Sequence, residues 1–233
     1  MRPIILISLL FLAFSTAAVA QQATEPQHKL VEFQMALFKR GPQFSAAETT
    51  QGKEIRIQHF AYFSNLIESG KAVMGGPFRD DGEIRGLYVL RAKTADEARA
   101  VAEADPAVKA GLFSIEMHPW WSEEVMKKAT LPIKLQTAYL AFLTRGPKWT
   151  PERTPESAEI QKAHMANINR LAETGKLVIA GPFGDNGQLR GIFVFKVASL
   201  EEAKELAATD PAVKAGRLAL DVHTWLVPEG ILP

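Results

Sequence analysis

From residue 30 onward, the spacing of the hydrophobic positions alternates between the pattern of a β-strand and the pattern of an amphipathic helix. Residues 32–39 are rich in aromatic and branched side chains, a composition typical of a β-strand. Ile55, His59, Phe63 and Leu66 then follow one another at the spacing of one helical face. The pattern therefore predicts a strand followed by an amphipathic helix that carries His59 on its core-facing side.

The same alternation continues through two further strands, a second helix and a last strand. The three strands are predicted at 71–77, 84–92 and 112–121. Asp81-Gly82 is a preferred hairpin turn between the first two of them, and Thr94 with Glu97 forms a capping box that opens the helix. The order β-α-β-β-α-β is that of a ferredoxin-like sandwich, in which both helices cover one face of an antiparallel sheet.

This unit occurs twice, and each matching motif returns 105 residues further along the chain. Arg40-Gly41-Pro42 returns at 145–147, and the seven residues 105–111 return at 210–216. The constant offset means that the copies align without an insertion. Two copies predict a duplicated domain, because a solenoid needs at least three units.

The third strand of each unit is apolar on both faces, although helices are expected to cover only one. In the first copy Tyr88 and Leu90 alternate with Leu87 and Val89. A sheet with helices on one side normally exposes its other face to water, so this second apolar face needs a partner. We therefore predict an α+β fold in which two ferredoxin-like βαββαβ repeats pack sheet to sheet as an intramolecular dimeric α+β barrel, a monomeric pseudo-dimer.

The first twenty residues have the layout of a secretory signal peptide. Arg2 precedes an apolar run, and Ala18-Val19-Ala20 supplies an A-x-A cleavage site. The run is shorter than the about 20 apolar residues of a spanning helix, which argues against an uncleaved anchor. We predict an exported, periplasmic or secreted protein. Its organisation is a signal peptide at 1–20, a flexible segment at 21–30, repeat 1 at 31–121, a linker at 122–135, repeat 2 at 136–226 and a tail at 227–233.

Composition and charge remove several classes of function. With Arg2 in the leader, 26 basic residues balance 26 acidic ones, so neither a nucleic acid nor an anionic membrane is an expected partner. The absence of cysteine excludes thiolate catalysis, disulfides and iron–sulfur clusters. The sequence has no dinucleotide or phosphate-loop fingerprint, and its histidines lack the spacing of metal ligands. We predict a small-molecule partner, with no cofactor and no metal.

Two histidines and two aspartates are the candidate catalytic residues. His59 and His164 lie on the first helix of each repeat, and the topology brings Asp105 and Asp210 to the same rim of the sheet. A neutral imidazole oriented by a carboxylate can act as a general acid or base. The alternative is structural, because a histidine on an apolar stripe is often a core residue and Asp-Pro is also a helix N-cap.

Arginines and aromatic residues near the same rim are candidates for ligand binding. Arg40 and Arg145 stand next to the Gly-Pro loops and could hold a carboxylate, although an arginine after a strand often has no specific partner. Phe44 and Trp149, on the segments that follow, complete the predicted ligand-binding set.

A second constellation lies on the last strand of each repeat. Its residues share one strand face and are Glu116, His118 and Trp120 in repeat 1 and Asp221, His223 and Trp225 in repeat 2. They could bind a polar ligand, but a solvated edge or a seam between the copies is the preferred interpretation. Near the hairpins, Arg85 and Arg190 are expected to form ion pairs with Asp80 and Asp185.

The ordered set of histidine, Gly-Pro and Asp-Pro motifs resembles the YCII (YciI-like) family over about residues 31–121 and 136–226. The motifs are His59 and His164, Gly76-Pro77 and Gly181-Pro182, and Asp105-Pro106 and Asp210-Pro211. The resemblance implies a ferredoxin-like fold that pairs into an α+β barrel. It also implies a His/Asp-centred site at His59 with Asp105 and at His164 with Asp210. Relatives include a dehydrochlorinase and, more distantly, muconolactone isomerases and small monooxygenases.

Two functions follow from these observations. One is a cofactor-independent lyase or isomerase that applies His/Asp acid–base chemistry to a small cyclic or aromatic compound, in a dry pocket such as a barrel interior offers. The alternative is a non-catalytic small-molecule-binding or stress-associated protein that uses the same pocket. In either case one of the two copies could have become structural.

Overall fold

The computed structural model describes residues 29–233, so the predicted signal peptide at 1–20 and most of the 21–30 segment lie outside the described residues. Repeat 1 consists of β1 (Leu30–Arg40), a 3₁₀ helix (Phe44–Glu48), α1 (Thr50–Glu68), β2 (Ala72–Pro77), β3 (Ile84–Leu90), α2 (Ala95–Glu103), α3 (Pro106–Lys109) and β4 (Phe113–Glu123). Repeat 2 consists of β5 (Leu135–Arg145), α4 (Pro155–Glu173), β6 (Leu177–Pro182), β7 (Leu189–Phe195), α5 (Leu200–Ala208), α6 (Pro211–Lys214) and β8 (Leu218–Pro228). Each repeat has the predicted β-α-β-β-α-β order, with a one-turn helix before its last strand.

Local capping contacts determine where the helices near the candidate site begin. The Thr154 hydroxyl accepts a hydrogen bond from the backbone N–H of Ser157 at 3.1 Å, and the Ser157 hydroxyl accepts one from Thr154 at 2.9 Å. This capping box starts α4. Asp105 and Asp210 are the N-caps of α3 and α6, each followed by proline. The N-cap role proposed for these aspartates as an alternative is therefore present, and it holds both carboxylates at the rim.

The strands form two four-stranded antiparallel sheets, in the orders β2-β3-β1-β4 and β6-β7-β5-β8. The first and third strands of each repeat are central, as predicted. On the outer face, Tyr88 of β3 stacks with Phe63 of α1, with ring centroids 5.0 Å apart. Leu87 and Val89 point to the opposite face, where the two repeats meet. Together the sheets form the predicted intramolecular α+β barrel.

The edge strands of one repeat join the edge strands of the other. Isolated β-bridges connect Phe78 with Trp225 and Trp120 with Phe183. The indole N–H of Trp225 donates to the Gly76 carbonyl at 3.1 Å, and that of Trp120 donates to the Gly181 carbonyl at the same distance. Close approach requires glycine here, because a Cβ at position 76 would lie 1.9 Å from the carbonyl oxygen of Leu226.

Side chains fill the interior of the barrel. Met35, Leu37 and Leu87 of repeat 1 and Ile192 and Trp225 of repeat 2 are at most 1% exposed and belong to one core that spans both repeats. The dry pocket that we expected inside the barrel is replaced by this packed core. A large cavity, described below, lies instead beneath α4. Within residues 29–233, no helix combines the length and apolar composition that a bilayer crossing requires.

Trp225→Ala should lower the free energy of unfolding by about 3–5 kcal/mol, because it leaves a cavity in the shared core and removes the donor to Gly76. Urea denaturation followed by circular dichroism measures this loss. Trp121→Ala is the matched control, since Trp121 is 36% exposed, and its loss should be clearly smaller. Equal losses in the two variants would contradict a seam built on the buried indoles.

Candidate functional site

His164 and Asp210 form a contact pair beneath α4. Nδ1 of His164 lies 2.7 Å from Oδ2 of Asp210, whose side chain is fully buried. Oδ1 of Asp210 accepts a hydrogen bond from the backbone N–H of Ala212 at 2.9 Å. Because an ionised carboxylate only accepts, this contact places the imidazole proton on Nδ1 and the lone pair on Nε2. No residue within 29–233 forms a hydrogen bond with Nε2, which is therefore free to meet a ligand.

His59 and Asp105 form the equivalent pair in repeat 1, with one additional partner. Nδ1 of His59 lies 2.8 Å from Oδ2 of Asp105, and the Tyr88 hydroxyl donates to the same oxygen at 2.8 Å. Burial, followed by the charge of Asp105 and its hydrogen bond, raises the pKa of Tyr88, so the hydroxyl keeps its proton. Phe193 stands where Tyr88 would be in repeat 2. Asp210 therefore has no phenol partner, and its Oδ2 accepts instead from the Asn167 amide at 3.4 Å.

Aromatic side chains surround His59 on its sheet side. The ring centroids of Phe38, Phe113 and Tyr88 lie 5.6, 5.4 and 5.9 Å from that of the imidazole. The first two are replaced in repeat 2 by the smaller Leu143 and Leu218. The surroundings of the imidazole are therefore less aromatic in repeat 2, although the His164 side chain, 11% exposed, is more buried than that of His59 at 23%.

The segment between the first strand and the first helix also differs between the repeats. In repeat 1 it forms the 3₁₀ helix, and Ala47 is buried against Ala107 and Leu112. A Cβ on Gly52 would lie 2.0 Å from the Ala46 carbonyl oxygen, so this packing requires glycine. Repeat 2 has Ser157 in that position and the exposed Glu152 in place of Ala47. The same closure is sterically blocked there, and residues 149–153 instead border a cavity.

This cavity has a volume of about 1230 Å³ and lies among α4, β6, β7 and the 149–153 segment. It is larger than the about 300–1,000 Å³ typical of small-molecule pockets. Its lining includes Arg145, Trp149, His164, Met165, Arg190 and Phe193. The structure thus brings His164, Arg145 and Trp149 of the predicted site to one cavity, with Asp210 directly behind the imidazole.

The repeat 1 residues of the predicted ligand-binding set have partners within the protein. Arg40 is held by the carboxylate of Asp81, 2.6 Å from its Nη2, and its guanidinium lies 4.7 Å from the centre of the Phe44 ring. Phe44 packs against Phe113, with ring centroids 6.2 Å apart. The ligand-binding roles of Arg40 and Phe44 stay predictions.

The second constellation forms contacts across the seam between the repeats. Nδ1 of His118 lies 2.5 Å from Oδ2 of Asp185, and Nδ1 of His223 lies 2.9 Å from Oδ2 of Asp80. Burial by itself raises the pKa of each aspartate, but hydrogen bonds, with that of the histidine the strongest, outweigh it and hold both pKa values below the usual range. These histidine–aspartate pairs lie at the seam, in agreement with the preferred interpretation.

The prediction that Arg85 and Arg190 form ion pairs with Asp80 and Asp185 is wrong. Arg85 donates to the Asp80 carbonyl at 2.5 Å, and its nearest carboxylate is that of Asp81 at 3.5 Å. The seam explains the difference, because it places a histidine of the other repeat against each of those aspartates. Among residues 29–233, no three histidines or acids come together in a geometry that could hold a metal ion.

Comparison with known proteins agrees with this architecture. The pattern of the YCII-related domain matches residues 33–120 and 138–225, which are most of the chain. The protein belongs to the YCII-related family. The uncharacterized protein YjpA of Bacillus subtilis (strain 168) is 31% identical over 87 residues, which cover 37% of this chain and 92% of that protein.

Two solved structures share the fold over nearly their whole length. A novel heme-binding protein from Thermus thermophilus has a TM-score of 0.53 at 13% identity and covers 85% of this chain, which covers 93% of it. A mutant chlorite dismutase from Candidatus Nitrospira defluvii has a TM-score of 0.54 at 13% identity, with coverages of 86% and 92%. At this identity the likeness concerns the fold alone. It supports the YCII-related barrel as two halves of one chain.

Some residues of the site were not singled out from the sequence. Tyr88, which bonds Asp105, was seen only as an apolar strand residue, and Arg190 was assigned to Asp185 rather than to a cavity. A usable signal existed in the positions where the repeats differ. Tyr88 against Phe193 and Gly52 against Ser157 are such differences, and each changes the surroundings of one imidazole.

Asp185→Asn should lower the free energy of unfolding at pH 7. That free energy should also fall less steeply with decreasing pH than it does in the parent protein. The folded pKa of Asp185 is lowered, so the native state binds fewer protons than the unfolded state around that pKa. The contribution is complete above the unfolded value of about 3.9 and is lost as the pH falls through the folded value. Urea denaturation between pH 3 and 7 measures the difference from the parent protein, which should narrow toward pH 3. Glu205→Gln, a change of an exposed carboxylate on α5, is the control, and a constant difference across the range would refute the prediction.

Gly52→Ser should displace the 3₁₀ helix of repeat 1, since the new Cβ would collide with the Ala46 carbonyl. We expect faster amide hydrogen exchange at residues 44–48 and a stability loss of roughly 1–3 kcal/mol. Ser157→Gly is the reciprocal control in repeat 2 and should not close the cavity, because Glu152 and Pro151 remain. Unchanged exchange at 44–48 in Gly52→Ser would show that the glycine is not what permits closure.

Proposed function

We propose that this YCII-related protein binds a small cyclic or aromatic compound in the repeat 2 cavity and transfers a proton with His164. The observation that carries the proposal is the position of His164. Its ring lines the cavity, its Nδ1 is held by the buried Asp210, and its Nε2 has no partner among residues 29–233. A base of this kind contributes about 10²- to 10⁴-fold to proton transfer.

The chemistry that fits this arrangement is elimination or isomerisation without a cofactor. Nε2 takes a proton from a carbon of the substrate, and the electron pair of the C–H bond forms a new double bond. In an elimination a leaving group departs with its own electron pair. In an isomerisation the imidazolium returns the proton to another carbon. Asp210 positions the ring and stabilises its cationic form in both cases.

The repeats are expected to contribute unequally to this function. His59 has the same contact with its aspartate, but the Tyr88 hydroxyl shares that carboxylate and three aromatic rings pack around the imidazole. The 44–48 segment of repeat 1 is folded as the 3₁₀ helix, whereas the 149–153 segment of repeat 2 borders the cavity that His164 lines. We therefore assign the chemical step to His164 and a structural role to the His59–Asp105 pair.

Proton exchange in D₂O tests the proposal without knowledge of the full reaction. Small chlorinated cyclic compounds, lactones and cyclic carboxylic acids are incubated with the protein, and loss of C–H signals is followed by NMR. Exchange should occur with the parent protein and with His59→Ala but fall by about 10²-fold or more with His164→Ala. Added imidazole should restore part of the rate in His164→Gly, which a purely structural role for His164 does not predict.

Two outcomes would overturn this assignment. Exchange that survives His164→Ala would remove the imidazole from the chemical step, and exchange lost in His59→Ala would move it to repeat 1. Absence of exchange for compounds that bind would favour the alternative, a small-molecule-binding protein without catalysis. Isothermal titration of the same compounds separates this alternative from an empty cavity.

A haem group is a second candidate occupant, and a specific observation favours it. A histidine whose Nδ1 is held by a carboxylate and whose Nε2 is free could hold haem iron through Nε2. His164 meets this description at the wall of a large cavity, and Arg145 and Arg190 in the same wall could pair with propionates. A bound haem would supply redox chemistry. A haemin titration tests this candidate, because a Soret shift that is lost in His164→Ala would support it.

We also propose that the protein is exported after cleavage behind Ala20. The support is the predicted leader, with its apolar run and its Ala18-Val19-Ala20 site. Expression of the full chain in a bacterium, fractionation and sequencing of the amino terminus should give a periplasmic or secreted protein that starts at Gln21. An intact amino terminus in the cytoplasm would contradict export.

A further inference from the structure

Each repeat has a pair of arginines at the same place, but within residues 29–233 only one pair has a counter-ion. In repeat 1 the Asp81 carboxylate lies 2.6 Å from Arg40 and 3.5 Å from Arg85. The corresponding residue in repeat 2 is the neutral Asn186, and Arg145 contacts only its backbone carbonyl. The pair formed by Arg145 and Arg190 has thus lost the internal anion that neutralises its counterpart.

The arginine pair of repeat 2 is partly shielded from water. Nε of Arg145 and Nη1 of Arg190 are buried, and no acceptor within residues 29–233 forms a hydrogen bond with either. Burial and the like charge of Arg145 lower the pKa of Arg190, an effect that Asp185 partly offsets. Asp185 does not serve as the missing counter-ion, because its Oδ2 binds His118 and its Oδ1 accepts from the Gly187 N–H. A buried guanidinium N–H without an acceptor is costly unless an anion pairs with it.

Neighbouring residues hold the pair in place and add positive charge. The Arg145 guanidinium lies 3.8 Å from the centre of the Trp149 ring, a cation–π contact that orients it. Arg153 and Arg217 also line the cavity, where repeat 1 has Glu48 and Leu112. The lining of the cavity therefore contains four arginines and two acidic residues, Glu123 and Glu152. An excess of positive charge favours an anionic ligand.

We propose that Arg145 and Arg190 bind the carboxylate of an organic acid whose apolar body lies in the repeat 2 cavity near His164. The cavity supplies both parts of this recognition, since Ile160, Met165, Ile168 and Phe193 line it together with the arginines. A planar guanidinium matches a carboxylate through paired N–H donors. The inference rests on the proposed function, because it names the substrate class of the same site.

Binding of 1-naphthoate, measured by isothermal titration, tests the inference, with 1-naphthamide as the uncharged counterpart of the same shape. Naphthoate should bind the parent protein at least about tenfold more tightly than naphthamide, because only the anion pairs with both arginines. Arg145→Ala and Arg190→Ala should each weaken naphthoate binding by roughly 10- to 100-fold and leave naphthamide binding within about threefold. Arg85→Ala, the repeat 1 counterpart of the second change, is the matched control and should not alter binding.

Asn186→Asp provides a second variant that removes no arginine. It restores the acidic residue that repeat 1 has at this position and should weaken naphthoate binding by roughly tenfold, because an internal carboxylate then competes for the pair. Aspartate tolerates the left-handed backbone of this position, where φ is 54°. Circular dichroism of each variant confirms folding before titration.

Three results would overturn the inference. These are equal binding of naphthoate and naphthamide, unchanged naphthoate affinity in both arginine variants, and acetate or inorganic phosphate binding as tightly as naphthoate. The last would reduce the site to a general anion site.

If haemin binds and depends on Arg145 and Arg190 while naphthoate does not bind, the carboxylate source is a haem propionate. Arginine-dependent naphthoate binding without proton exchange would support this inference and contradict the catalytic role of His164.

Discussion

The structure depends on the close contact of β2 with β8 and of β4 with β6, which turns two open sheets into one barrel. Two indole N–H groups donate to glycine carbonyls across this contact, and the backbones approach so closely that a Cβ at Gly76 or Gly181 would collide with the opposite strand. The barrel interior is filled by the shared core. The His59–Asp105 and His164–Asp210 pairs lie outside this core, on the helix-covered side of each sheet.

Duplication gives a direct comparison of two sites on one scaffold. Both repeats keep the histidine, the aspartate N-cap and the two arginines. Repeat 1 pairs these groups with Asp81 and Tyr88, and the 3₁₀ helix that Gly52 permits packs beside them. Repeat 2 has Asn186, Phe193 and Ser157 in the same three positions. The Asn186 difference leaves the arginine pair without an internal carboxylate, and the Ser157 difference accompanies the open segment beside the cavity. His164 lines this cavity although its side chain, 11% exposed, is more buried than that of His59 at 23%.

The order of elements and the barrel could be predicted from the sequence, because they depend on periodicity, on turns and on the apolar strand faces that the helices leave uncovered. The approach of His59 to Asp105 also followed from topology, since both motifs belong to one rim. The partner of Asp80 could not be predicted in this way, because the nearby Arg85 was the obvious candidate in the sequence. His223 lies 143 residues away and reaches Asp80 only through the seam. The cavity depends on side-chain volumes and on the space beside the backbone at Gly52 and Ser157. The pattern of hydrophobic residues in the sequence does not describe either quantity.

The closed repeat 1 has a physical role that does not require catalysis. Asp105 caps α3, accepts from Tyr88 and contacts His59, so a buried carboxylate has several donors and contributes to stability. Asp210 lacks the phenol but keeps the same backbone donor at Ala212. The Asn167 amide donates to Oδ2 of Asp210 at 3.4 Å, so this carboxylate also has a second side-chain partner besides its histidine. A scaffold that satisfies one site internally can leave the other incompletely satisfied, because the shared seam holds both repeats in a single folded unit.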